Sequence, residues 1–438
     1  MIHVLYVQPY ASSVGGVDSV LLQLIEGLDR TRYRPSVLLT APTAYSQRYE
    51  RLGCKVLYGP VAVFGKPTDA GYYFRNAARL VRSVAAVRRI VREHGVDLIH
   101  THKMEAFGPN VAGRLLGVPA VQTVHELPRR PLAAYKAIGW LDHALNDRVI
   151  VLCEESKRMF RWFGRESGKL VKIYNGIEPS VVQAPADRPL RRELGLAPED
   201  KLVLTVARLS PMKGLTYLLE AADRLRSVRP DLKFAIAGDV AFEHERPYKA
   251  KLERDIRERG LEPSVRLLGL RRDVPQLLAQ SDALALPSVY DIFPTVVLEA
   301  MNAGLPIVAT AVGGVPEMVR EGAGLLVPAG DGGALADALV RLFDSDYRRM
   351  GEAARRLLLR DFTRQRYVEA TEQVYAEALA RKAAAHGRAA TTDAAPGSAA
   401  TADAAPARAA PGRAADANAA PSRAADAAPG AVDSGEPL

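Results

Sequence analysis

The chain has little of what would tie it to metal, to disulfides or to a membrane span. Its two cysteines, Cys54 and Cys153, stand far apart without metal-ligand spacing, so free thiols in a reducing compartment are expected. No apolar run reaches the ~20 residues that a spanning helix needs. The first residues, MIHVLYVQPY, carry neither a charged leader nor a cleavage site and read as a buried strand, which points to a cytoplasmic protein. The dinucleotide fingerprint GxGxxG is missing, and so is the basic and aromatic interleaving of a nucleic-acid binder, so no nucleic-acid partner is expected. No metal and no cofactor is called for. The one Asp-x-Asp, Asp344-Ser345-Asp346, falls in a late polar turn and reads as solvated.

What is present suffices for two cores. At 438 residues, with 48% hydrophobic side chains, the chain exceeds what one core usually supports. From Ala383 onward the composition shifts to Ala, Pro, Asp and Arg without a single aromatic residue. Residues 383–438 are therefore expected to be a disordered tail, unable to offset their ordering entropy by burial. Four arginines against six acids leave that tail at −2, so the body carries +11 within an overall +9. Such an excess favours an anionic partner: nucleotide phosphates, or an anionic membrane surface.

Short apolar runs (HVLYV, SVLLT, LIHTH, AVQTVH, VIVLC) alternate with amphipathic stretches to about residue 175. After the turn Tyr174-Asn175-Gly176 the alternation resumes with KLVLTVAR, KFAIAG, VRLLG, ALALPS, PIVAT and GLLVP. This is the pattern of parallel strands with crossover helices, and it predicts two tandem doubly wound α/β domains facing a cleft. Ligands of such sheets bind at the carboxyl ends of the strands, so the loops there are the place to look.

Five of those loops stand out. Gly15-Gly16, before the helix-like LLQLIEGL, lets the backbone approach a ligand and directs helix N–H groups at an anion. Arg208 and Lys213, five apart after LTVA, suit a diphosphate, one as a fork and one as a point charge. In SVYDIFPTVVLEAMNAGLPIVAT, Pro294 starts a helix whose next N–H groups, at Thr295 and Val296, would face a phosphate. Glu299 lies a turn further on, able to accept from vicinal sugar hydroxyls, and Asp291 lies in the loop before the helix. Finally, His125 ends the strand AVQTVH, while His100 and His102 end LIHTH and are expected to face the cleft.

The order GGVD, TVHE, VARLSPMKG, then an acid, seven residues and EAMNAGLPIVAT, then VGGVPE, resembles the retaining glycosyltransferases of the GT-B fold, glycosyltransferase family 4, over residues 1 to about 382. The resemblance implies that Arg208 and Lys213 bind the diphosphate of a nucleotide-sugar donor with Gly15 and Gly16, that Glu299 holds the ribose, that Asp291 contacts the donor sugar, and that His125 lies near its reacting face. It also implies a glycan or lipid-linked acceptor, front-face substitution without a metal, and four segments. These are an acceptor-side domain over 1–175, a donor-side domain over 176–362, a helix over 363–382 that crosses back, and the tail. The first acid is usually Glu, so Asp291 reaches less far by about 1.5 Å. A sugar-nucleotide epimerase on a similar fold is the alternative. The stretch FRNAARLVRSVAAVRRIVREHG puts Leu80, Val84, Val87 and Val91 on one stripe and Arg75, Arg79, Arg82 and Arg89 largely elsewhere. The plain reading is a core-facing helix with a solvated back; the same back, with Arg129 and Arg130, offers a peripheral surface to anionic lipid.

Overall fold

The computed structural model describes residues 1–9, 16–65, 69, 71–162, 165–181 and 189–392, with side chains as far as residue 384. The apolar runs of the first half pair in parallel as β1 (Ile2–Gln8), β2 (Tyr33–Leu39), β3 (Lys55–Tyr58), β4 (Leu98–Thr101), β5 (Ala120–Val124) and β6 (Arg148–Val151). A small antiparallel pair follows, β7 (Arg161–Trp162) with β8 (Arg165–Glu166), and β9 (Leu170–Lys172) closes the edge. The sheet order is β3-β2-β1-β4-β5-β6-β9. The edge strands β3 and β9 have no counterpart in the sequence reading, because edge segments with half-exposed side chains show neither a buried run nor a clean alternation.

The second half repeats the plan with β10 (Lys201–Val206), β11 (Leu232–Ala237), β12 (Val265–Gly269), β13 (Ala283–Leu286), β14 (Ile307–Thr310) and β15 (Gly324–Val327) in the order β12-β11-β10-β13-β14-β15. In each sheet the order reverses beside the first strand, at β1 and β4 and at β10 and β13. Those are the switch points where a doubly wound sheet opens a crevice.

Strand alternation sorts the helices onto two faces. Val4, Tyr6 and Val121 pack with the helix Gly16–Gly27 and with Tyr367, Val368 and Tyr375 of the C-terminal helix. Leu5, Val7 and Ile99 pack on the other face with Val87, Ile90 and Val91 of the helix Tyr72–His94 and with Ala112. The C-terminal helix spans Arg364–Thr392, ten residues past the expected end at Lys382. Burial argues for a stop there, but the alanine-rich continuation has high intrinsic helix propensity. Residues 393–438 lie outside the described residues.

Two chain crossings join the halves side by side: Ile177 N–H donates to the Phe362 carbonyl at 3.1 Å, and Arg364 N–H to the Ile177 carbonyl at 2.8 Å. A Cβ on Gly176 would stand 2.2 Å from the Thr363 carbonyl oxygen, so the crossing admits only glycine. A further bridge is built on Glu317, whose carboxylate accepts from Glu154 N–H at 2.7 Å and from Lys172 Nζ and the Tyr174 hydroxyl at 2.8 Å each.

Candidate active site

At the carboxyl end of β10 the chain turns through Arg208 to Lys213 and Gly214. Gly214 has φ +61°, and a Cβ there would come within 2.0 Å of the Pro287 carbonyl oxygen, so this loop lies directly against the one after β13. The contact brings Lys213 to Asp291, with Nζ 2.5 Å from Oδ2, and the Ser288 hydroxyl donates to the same oxygen at 3.1 Å. Gly313, φ +54°, closes the far side of that loop, since a Cβ on it would meet the Asp291 carbonyl oxygen at 2.0 Å. Asp291 is thus held by main-chain packing from behind and by a cation and a hydroxyl in front.

Arg208 is engaged as well. Its Nε stands 3.1 Å from Glu245 Oε1, without the alignment of a hydrogen bond, and its guanidinium lies 5.4 Å from the centre of the Phe242 ring. Glu245 is buried, and its other oxygen accepts the N–H groups of Ala241 and Phe242 at 2.9 and 3.1 Å. The loop after β11 therefore carries a counter-ion for Arg208. Gly238 allows it: with φ +146°, its Cβ would lie 1.9 Å from the carbonyl oxygen of Ala207.

The helix Thr295–Asn302 starts with Pro294 as its extended cap residue, one position outside the helix. Its first-turn N–H groups, at Thr295 and Val296, are the ones a helix leaves for an anion. Glu299 is half-buried on the next turn, and among the described residues its carboxylate has no hydrogen-bond or ion-pair partner. Burial alone raises its pKa. A carboxylate desolvated without compensation is costly to the fold unless something else satisfies it.

Gly16 begins the first helix, and among the described residues a Cβ there would meet nothing within 4 Å. Gly15 lies outside the described residues. Asp18, at the end of GGVD, is buried with its carboxylate taking the Tyr49 hydroxyl at 2.8 Å and Gln8 Nε2 at 3.3 Å, and burial pushes its pKa up to about 6.

His125 sits at the end of β5, half-buried, with Nε2 3.2 Å from His102 Nδ1. Burial first, and the Lys103 charge second, lower its pKa to about 3, so the ring is neutral at physiological pH and acts as a hydrogen-bonding group. The expectation that His100 faces the cleft is corrected. His100 is fully buried on the same face as His102, their rings 4.3 Å apart, with its two ring nitrogens each 2.7 Å from the hydroxyls of Tyr375 and Thr123. The period-2 pleat sends it to the C-terminal helix. His102 is buried as well and serves His125 as a neighbour.

Behind His125 lies an acidic group that sequence reasoning missed. Lys103 Nζ bridges Glu105 at 2.7 Å and Glu126 at 2.6 Å. Asp142 is fully buried with neither oxygen hydrogen-bonded among the described residues, and burial, then the charges of Glu126 and Glu105, hold its pKa well above the usual carboxylate range. The roles of Glu245 and Tyr290 were missed too, as was the bridging role of Glu317, which the sequence shows only as the end of VGGVPE. Each is a plain surface-type residue in sequence, and only the contact across loops gives it a role.

The family model for glycosyl transferases group 1 matches residues 187–357, and that for glycosyltransferase family 4 matches residues 14–181. Among curated proteins the chain is 28% identical over 318 residues to the Escherichia coli UDP-Gal:alpha-D-GlcNAc-diphosphoundecaprenol alpha-1,3-galactosyltransferase, covering 69% of this chain and 81% of that protein. It is 26% identical over 307 residues to the N-acetyl-alpha-D-glucosaminyl L-malate synthase of Bacillus anthracis, 66% of this chain and 77% of that one. Among solved structures, Anabaena HepE in complex with UDP and glucose superposes with a TM-score of 0.72 at 23% identity, over 86% of this chain and all of that one. Sucrose-phosphate synthase of Thermosynechococcus elongatus superposes with a TM-score of 0.70 at 21% identity, over 87% of this chain and all of that one. The epimerase alternative finds no support among these relatives. The two family models fall one on each doubly wound half, and the chain belongs to the group 1 glycosyltransferases of the GT-B fold, with a family 4 N-terminal half.

Proposed function

We propose that the protein is a retaining glycosyltransferase that moves a sugar from a uridine diphosphate donor to a glycan or lipid-linked acceptor on the inner side of a membrane. The observation that carries the reading is Glu299, a half-buried carboxylate without a partner among the described residues, at the β13–β14 crossover, one turn below the helix N-terminus that follows the Asp291 loop. A donor's vicinal ribose hydroxyls would satisfy it. The diphosphate would then meet Lys213, Arg208, Gly15 and Gly16, and the first turn at Pro294, Thr295 and Val296. The uridine base and the lipid-linked acceptor are taken from the relatives and structural neighbours, which name UDP, a UDP-sugar or a diphosphoundecaprenol substrate.

In this scheme residues 1–175 form the acceptor side and 176–362 the donor side. Breaking the anomeric bond places negative charge on the departing diphosphate, where fixed cations and helix N–H groups stabilise it without rearranging. The electron pair of that bond leaves with the phosphate, the acceptor oxygen bonds to the anomeric carbon on the same face, and the acceptor proton passes to a leaving phosphate oxygen. Asp291 and neutral His125 orient the sugar. The chain's own cations meet the phosphate charge, so the scheme uses no metal.

The membrane side of the reading rests on the helix Tyr72–His94 and its neighbours. Arg75, Arg79, Arg82 and Arg89 are exposed there, together with Tyr73, Phe74 and Val81. Further along that domain, Lys136, Ala137, Trp140, Leu141 and Trp162 line an apolar groove of about 490 Å³, which therefore contains both tryptophans of the chain. Aromatic and cationic side chains together suit an anionic bilayer surface. No helix among the described residues is long and apolar enough to cross a membrane.

The deciding experiment is a panel of nucleotide sugars screened by thermal shift and then assayed for transfer, with the product anomer read by NMR. A ligand at a hundred times its dissociation constant stabilises by about 2.7 kcal/mol. An inverted product anomer, or stabilisation by no uridine nucleotide, refutes the reading.

A further inference from the structure

Three loops that carry separate parts of the site meet at one aromatic ring. Tyr290 immediately precedes Asp291, and its hydroxyl oxygen accepts the Leu127 N–H at 3.0 Å, two residues beyond His125. The guanidinium of Arg129, from the same loop as His125, stands 4.1 Å from the Tyr290 ring centre. Arg129 Nη2 also reaches Met212 Sδ at 3.5 Å. Met212 is the neighbour of Lys213, and its carbonyl accepts the N–H groups of Val289 at 2.9 Å and Tyr290 at 3.2 Å. One ring therefore touches the histidine loop and, through Met212, the lysine loop, and it sits next to the carboxylate that pairs with that lysine.

We propose that Arg129 and Tyr290 are positioning residues, a clasp that registers the His125 loop of the N-terminal domain against the Asp291 and Lys213 loops of the C-terminal domain for transfer. The two contacts divide the work. The phenol oxygen fixes the main chain at Leu127, and so the height of His125 over the cleft. The cation over the ring holds the loop sideways and carries the register on to Met212. Transfer between substrates held by different domains is sensitive to such alignment, since misplacement of about 1 Å can cost on the order of a hundredfold. Among the described residues no hydrogen bond or ion pair joins either residue to Glu299, so nucleotide binding to the C-terminal domain is expected to proceed without the clasp. The assignment also removes Arg129 from the lipid-facing cations, because its guanidinium is committed to Tyr290.

The kinetic test rests on the transferase reading; the exchange test does not. Tyr290→Phe keeps the ring and its stack with Arg129 but removes the acceptor for Leu127 N–H. We expect kcat to fall about three- to tenfold, the size of one net hydrogen bond. The dissociation constant of uridine diphosphate should stay within about twofold, since the clasp makes no nucleotide contact. Amide hydrogen exchange in the segment 125–131 should quicken. Arg129→Ala should lower kcat about threefold in the parent, the size of an exposed cation–π contact, and have no further effect in a Tyr290→Ala background. Unchanged kcat and unchanged exchange in Tyr290→Phe overturn the clasp. So does nucleotide affinity that falls in step with kcat, or an Arg129→Ala effect that is the same in both backgrounds. If the parent protein transfers no sugar, the exchange measurement decides alone, and unaltered protection of 125–131 in Tyr290→Phe refutes the inference.

Discussion

Asp291→Asn and Glu299→Gln should affect uridine diphosphate binding in opposite directions. Lys213 Nζ lies 2.5 Å from Asp291 Oδ2, with the lysine side chain 23% and the aspartate 12% exposed. A charge-assisted hydrogen bond contributes about 1.5–3 kcal/mol when well protected. Screening at this partly open site reduces that to about 1 kcal/mol. A diphosphate draws Lys213 from its carboxylate, so Asp291→Asn, which weakens the competing pair, should tighten the bare nucleotide by about fivefold. The same change should lower kcat by about tenfold or more, because the sugar loses its carboxylate contact. Glu299→Gln removes the charged acceptor of the ribose hydroxyls and should weaken the nucleotide by about ten- to a hundredfold.

Glu299 also has a stability signature. Its folded pKa is raised by burial, so the fold loses stability as pH rises from the unfolded carboxylate value through the folded one. Glu299→Gln should therefore melt higher than the parent at neutral pH while binding nucleotide less well. Isothermal calorimetry with uridine diphosphate, steady-state kinetics and thermal melts on the three proteins make the comparison. Equal loss of nucleotide affinity in both variants would refute the division of roles and leave Asp291 as a support for its loop.

Three further outcomes follow from other parts of the chain. Asp142 is buried without a hydrogen-bond partner among the described residues, and its pKa is well above the usual range. The parent should thus lose stability relative to Asp142→Asn by up to about 1.4 kcal/mol per pH unit from pH 5 upward, and a difference in urea stability that stays flat between pH 5 and 8 refutes this. Removal of residues 393–438, which lack aromatic side chains and hold only Val432 and Leu438 as branched apolar ones, should leave melting temperature and donor turnover nearly unchanged, and a large loss of either shows that they pack or act. Vesicles with anionic lipid, compared with neutral ones, should sediment the protein and shift the emission of Trp140 and Trp162 to the blue. Arg79→Glu with Arg82→Glu should abolish the preference, and equal binding to both vesicle types refutes the membrane surface.

The order of elements was legible in the sequence because strand and helix periodicity are local. HVLYV, LIHTH or KLVLTVAR can be read without knowing their neighbours, and each is a strand. The turn at Asn175-Gly176 and the glycine loops were legible for the same reason, as backbone geometry limits which residues can occupy them. The motif residues Arg208, Lys213, Asp291 and Glu299 could be named from their positions after strands, since a parallel sheet puts every such loop at one edge. What tertiary structure alone decided is which of those charges meet. That Lys213 pairs with Asp291 and Arg208 with Glu245 depends on two loops 78 and 37 residues apart packing together, which no local pattern encodes. Which partner a strand residue meets was settled in the same way: His100 and His102 share a motif, a parity and a face, their rings 4.3 Å apart, yet one is bound to the C-terminal helix through Tyr375 and the other to His125. Their difference arises where the strand ends and the pleat gives way to a loop, at a boundary set by the neighbouring strands and by a helix nearly three hundred residues away.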